Sequence, residues 1–145
     1  MPTSSIRFVH EWREFTRPDG SVIYRPLLPI LVHGRDGFLP RYFLVDSGAD
    51  LSMAPQELCR QLGLHWQDGA PITLRGISQR KICLVQGRIH KVDILVPDVG
   101  VMLRLPVVFA RGNAPFVLGR EGFFDAFDVT FDKANRRTVF QLVEL

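Results

Sequence analysis

The sequence predicts an all-β domain carrying two short helices. Two observations point there. Turn-forming residues recur at short intervals, at Pro18-Asp19-Gly20, Gly34-Arg35-Asp36-Gly37, Asp68-Gly69, Pro97-Asp98-Val99-Gly100 and Gly112-Asn113. The stretches between them are brief and rich in Val, Ile, Leu and Phe, as strands joined by hairpins require. With 145 residues, 46% of them hydrophobic and 23% charged, the chain suits one folded domain able to bury its own core.

Taken in order, residues 1–25 read as a leading segment with a hairpin around Pro18-Asp19-Gly20, and residues 26–145 as the main domain. Strands are expected over 27–32, 41–45, 72–75, 81–85, 89–96, 103–109, 116–118, 129–131 and 138–143. Tyr42-Phe43-Leu44-Val45 is apolar at both periods, which predicts a central strand covered on both faces. A helix over 55–62 is signalled by Pro55 in its first turn, Glu57 near its positive end and Gly63 just beyond it. Leu58 and Leu62 then share a face. A second helix over 121–127 would align Phe123 with Phe127.

Several function classes find no support. The net charge of +3 arises from arginines spread along the chain, and its densest group (Lys133, Arg136, Arg137) falls in an expected turn. That is a solvated surface mildly attractive to acidic partners, not a nucleic-acid stripe. Cys59 and Cys83 form no metal-type doublet and are too few for a disulfide scaffold, so both are expected reduced and buried. Adding His65 and His90 gives spacings longer than zinc sites use, so no metal or other cofactor is expected. Buried Cys59 is equally poor as a nucleophile. No export signal is visible at the start and no apolar run approaches the ~20 residues of a membrane span. These points lead to the expectation of a cytoplasmic protein.

Chemistry concentrates in Phe43-Leu44-Val45-Asp46-Ser47-Gly48-Ala49-Asp50, where an apolar strand ends in a carboxylate. The buried strand would fix Asp46 in place. Gly48 lets backbone approach closely enough for its N–H to reach that carboxylate. Ser47 offers a hydroxyl that both donates and accepts, and Ala49 keeps the exit narrow. Asp-Ser-Gly alone is a common turn, so the tripeptide needs a second element. That element is Phe116-Val117-Leu118-Gly119-Arg120, an apolar strand that runs into a glycine.

Together the two motifs resemble those of the retropepsin-like aspartic peptidases, over roughly residues 26–145. The resemblance implies an all-β acid-protease barrel that works as a homodimer, with Asp46 as the catalytic carboxylate of each subunit. Ser47 and Gly48 would support the active-site loop. Leu74-Arg75-Gly76-Ile77-Ser78 falls where that family carries its flap. Gly48, Ala49, Asp50, Arg75, Gly76, Ile77 and Val117 would line the substrate groove, with Arg75 favouring an acidic neighbour. The family's ion pair between these motifs would join Asp50 to Arg120. Ser47 stands where threonine is commoner, the flap has a single glycine, and residues before Pro26 match nothing. The chain holds one Asp-Ser-Gly, whereas hydrolysis by this route needs two carboxylates, so two-fold pairing is expected. A peptide or protein is the expected substrate. The alternative is an inactive domain of the same fold that binds extended peptides or only dimerises.

Overall fold

Alternation is clearest in residues 27–34, where Leu28, Ile30 and Val32 are buried and the intervening residues are not. The computed structural model describes residues 6–78 and 81–143, with side chains outside 76–83. It contains twelve strands among the described residues: β1 (Arg7–Glu11), β2 (Arg13–Thr16), β3 (Val22–Arg25), β4 (Leu27–Gly34), β5 (Gly37–Val45), β6 (Ser52–Pro55), β7 (Ala70–Ser78), β8 (Lys81–Val96), β9 (Val101–Ala110), β10 (Val117–Leu118), β11 (Phe127–Asp132) and β12 (Arg137–Leu142). One regular helix, α1 (Gln56–Gln61), follows β6.

Six strands close on themselves in the order β4-β5-β10-β6-β9-β8, because β8 also pairs with β4 through Leu31↔Leu95 and Val32↔Ile94. Closure removes sheet edges from this part of the fold. The β7–β8 hairpin projects from the closed ring, and its described register runs out to Ser78↔Lys81. A second sheet, β1-β12-β11, joins the two ends of the chain. It packs on the rest through an aromatic cluster in which Phe8 stacks on Phe140 at 4.5 Å and Phe123 meets Phe127 at 5.3 Å. β2 and β3 form a separate hairpin across Arg17–Ser21, held by Arg17 N–H to the Ser21 carbonyl at 2.8 Å.

Four expectations change in detail. First, β5 is central in pairing, between β4 and β10, but Tyr42 is half exposed. Its outer face is met by the Arg13 guanidinium, 4.8 Å from the ring centroid, instead of by a second apolar layer. Second, the expected break between 85 and 89 is absent. Gly87 continues β8 because a side chain there would press on the Phe109 carbonyl at 3.1 Å, so this glycine serves close packing and not a turn. Third, β6 was not expected at all. Fourth, the second helix is only an irregular turn: Glu121 and Gly122 have non-helical backbone, and Phe127 already belongs to β11. Gly122 sits at φ 90°, pressed so close to Leu105 that a Cβ would lie 2.4 Å from its Cβ. Phe123 and Phe127 are both buried nonetheless.

Candidate active site

The site grows from the end of β5. Phe43 and Val45 point into the core, which anchors the strand up to the residue before Asp46. Beyond it, the chain turns sharply, with Ala49 N–H donating to the Asp46 carbonyl at 3.2 Å. Gly48 N–H donates to Asp46 Oδ1 at 2.8 Å, and a Cβ on Gly48 would stand 3.2 Å from that oxygen. A backbone donor therefore holds one carboxylate oxygen in a fixed direction, and the absent side chain leaves the other face open. Asp46 is half-buried, while Ser47 and Gly48 are exposed.

A second segment locks this loop from below. β10 runs parallel to β5, pairing Val117 with Leu44 and Leu118 with Val45, and antiparallel to β6 through Val117↔Met53. Asp46 N–H donates to the Leu118 carbonyl at 3.1 Å. Arg120 N–H reaches the Ala49 carbonyl at 2.8 Å and Glu121 N–H the Asp50 carbonyl at 2.9 Å. Gly119 lies between these bonds. A Cβ on it would meet the Leu51 backbone at 2.5 Å and the Ala49 carbonyl oxygen at 2.9 Å, so no other residue fits without moving main chain. Its N–H donates to the Oγ of fully buried Ser52 at 3.0 Å.

The two motifs singled out in the sequence are thus interlocked in space. The Arg120 guanidinium pairs with the Asp50 carboxylate, both largely exposed in the single chain. Ala49 is half-buried, and Val117 is buried between its partners on β5 and β6. Gly76 pairs with Cys83 in the β7–β8 hairpin, whereas the side chain of Ile77 lies outside the described residues. Arg75 is exposed and borders a hollow of about 390 Å³ floored by Met53, Leu74 and Val85. Ser52, Met53 and Arg111 complete this region and carried no sequence signal of their own. A strand over 52–55 was hidden because four residues between a loop and a helix show too few periods to read.

Elsewhere, Cys59 Sγ lies 4.0 Å from His90 Nε2 in the interior. Burial pushes the Cys59 thiol up from its ordinary value, which keeps it protonated and unreactive. Among the described residues no helix is long and apolar enough to cross a membrane.

No sequence-family profile matches the chain. Neither does any curated protein sequence. Among solved structures, the chain is similar to a retropepsin-like aspartic protease from Rickettsia conorii, at 12% identity and a TM-score of 0.62. The match covers 96% of this chain and 92% of that one. The fold is therefore retropepsin-like, and at this identity the likeness speaks for the fold alone.

Proposed function

We propose that the protein is an aspartic endopeptidase that hydrolyses peptide bonds as a homodimer, each subunit supplying Asp46. One observation carries this reading: a half-buried aspartate at the tip of a core strand has one oxygen held by the Gly48 N–H and its loop interlocked with Leu118-Gly119-Arg120. A turn aspartate with no task beyond capping needs no such enclosure. Because the chain has one Asp-Ser-Gly, the second carboxylate comes from a symmetry-related copy.

Two carboxylates about 3 Å apart cannot both ionise cheaply, so they share one proton and titrate as a unit. The ionised Asp46 takes a proton from water as that water attacks the scissile carbonyl. The protonated Asp46 of the other subunit donates to the carbonyl oxygen, giving a tetrahedral gem-diol. That adduct collapses as its C–N bond breaks: the carboxyl that took the water proton passes it to the leaving amine nitrogen, and the other carboxylate takes back a proton from the gem-diol, which restores the shared-proton pair. Ser47, exposed beside the carboxylate, braces the two loops across the axis. The substrate lies extended, pairing its backbone with Gly48 and with the β7–β8 hairpin near Gly76 and Ile77, which closes as a flap and excludes water. Ala49, Asp50, Arg75 and Val117 border its path.

The test is a diverse peptide pool incubated with wild type and with Asp46→Asn. Turnover is expected to fall about 10²–10⁴-fold in the variant, the usual worth of an acid–base group. Equal cleavage by both proteins overturns the assignment of Asp46. Binding without cleavage by either defines a peptide-binding domain instead.

A further inference from the structure

The hollow next to the Asp46 loop has an uneven chemistry. Its floor is apolar, formed by Met53, Leu74, Val85, Ala110, Ala114 and Pro115. Met53 pairs with Val117, and Val117 with Leu44, two residues before Asp46, so a single strand, β10, lies between the hollow's floor and the strand that carries the carboxylate. Its mouth carries two cations, Arg75 from β7 and Arg111 from the segment after β9. Arg111 is held from two sides. Its N–H donates to the Gln86 carbonyl at 3.1 Å, and its guanidinium stands 5.6 Å from the Trp66 ring centroid. A smaller adjoining hollow of about 190 Å³ shares Arg111 and adds Arg88, whose Nη1 donates to the Gly69 carbonyl at 3.0 Å.

Among the described residues no Asp or Glu lines either hollow and none of these three arginines makes an ion pair. Elsewhere on the surface, Arg60, Arg104, Arg120 and Arg137 each have a carboxylate partner. Other arginines, Arg13, Arg25, Arg41 and Arg136 among them, are likewise without a carboxylate partner among the described residues, so what marks this face is the gathering of three such cations around apolar hollows. Three uncompensated cations beside an apolar floor suit a ligand that brings a hydrophobic group and a negative charge together.

We infer that the site selects peptides in which a large aliphatic or aromatic side chain fills the apolar hollow and an Asp or Glu nearby faces Arg75 and Arg111. In an extended peptide the side chains two residues apart share a face, separated by about 7 Å, so the acid belongs two positions from the apolar residue. This inference rests on the endopeptidase reading for its catalytic readout but is also measurable by binding alone.

The test uses peptides identical except for Glu, Gln or Lys two residues from a central Leu. Cleavage is measured as kcat/KM with wild type, and binding by fluorescence anisotropy with full-length Asp46→Asn. Glu is expected to exceed Lys by roughly tenfold at low salt, with the gap narrowing at high ionic strength. Reversing both cations, Arg75→Glu with Arg111→Glu, is expected to invert the order. The milder pair Arg75→Gln and Arg111→Gln, checked for fold by circular dichroism, is expected to abolish it. Equal handling of Glu and Lys peptides by wild type overturns the inference, as does a Glu preference that survives in both double variants. Binding that favours Glu while no peptide is cut upholds the selectivity and overturns the endopeptidase reading. Absence of both binding and cleavage overturns the two together.

Discussion

Replacing Gly119 by alanine puts a methyl group where the structure has main chain. The new Cβ would sit 2.5 Å from the Leu51 carbonyl carbon and oxygen, against an ordinary contact of 3.4 Å or more. Relief requires the two loops to part by about 0.9 Å, the difference between those distances. Parting stretches the bonds from Arg120 N–H to Ala49 and from Glu121 N–H to Asp50, now 2.8 and 2.9 Å, beyond hydrogen-bond range. Two lost bonds at about 1 kcal/mol each, with about 1–3 kcal/mol of overpacking, sum to roughly 3–5 kcal/mol. At a urea dependence of about 2 kcal/mol per molar, the unfolding midpoint falls by roughly 2 M. The control is Gly100→Ala, where φ is +67° but nothing stands within 4 Å, so only the backbone cost of about 1–2 kcal/mol applies. Both are measured by urea titration followed by intrinsic fluorescence at one protein concentration, because dimerisation would make the midpoint concentration-dependent. If Gly119→Ala loses no more than Gly100→Ala, the interlocked-loop account is wrong.

Phe140→Ala removes a fully buried ring stacked on Phe8 at 4.5 Å, and a loss of about 3–5 kcal/mol is expected in the same titration. The Asp132 carboxyl is held below its ordinary range, first by the Asn135 side-chain amide and further by the Asn135 N–H and the Arg137 guanidinium. A lowered folded-state value contributes stability above the unfolded carboxylate range near pH 4 and loses it as pH falls through the folded value. Asp132→Asn should therefore flatten the acid limb of a midpoint-versus-pH curve, and an unchanged limb would remove this residue from the account. Cys59, with its thiol pushed up by burial, should resist a thiol-exchange reagent at pH 8 in the native protein and react once urea unfolds it. Equal rates in both states would contradict that burial.

What could be read in the sequence depended on whether the reason for a residue was local. Asp46 and Gly48 are two positions apart, and the hydrogen bond joining them is local, so an apolar strand ending in Asp-Ser-Gly carried its meaning in one stretch. Gly63 stands at φ +75° just past α1, again a local requirement. Ser52 was invisible because its partner, the Gly119 N–H, is 67 residues away. Likewise β1 finds its sheet only through β12, at the far end of the chain. The false helix over 121–127 has the same origin: Phe123 and Phe127 fit helical spacing, yet the approach of Leu105 puts Gly122 in a conformation no helix contains. Arg111 gains its place from Trp66 and Gln86, neither a sequence neighbour.

The exposed Asp50–Arg120 pair also bears on how the site is assembled. At 82% and 59% side-chain exposure, it contributes about 0–1 kcal/mol within one chain. The loop does not depend on it, because three backbone bonds and the Ser52 hydroxyl already tie 46–52 to 118–121. The chain therefore holds Asp46 on a loop fixed by its own folding. In the proposed two-fold assembly, organising the carboxylates costs little further conformational entropy, and association has mainly to align two rigid halves. The ion pair then has a different part: two charges still wet in the single chain are free to be covered or to pair anew when another surface arrives. In that proposed assembly their contribution belongs to association and substrate contact, while the geometry of Asp46 belongs to the fold.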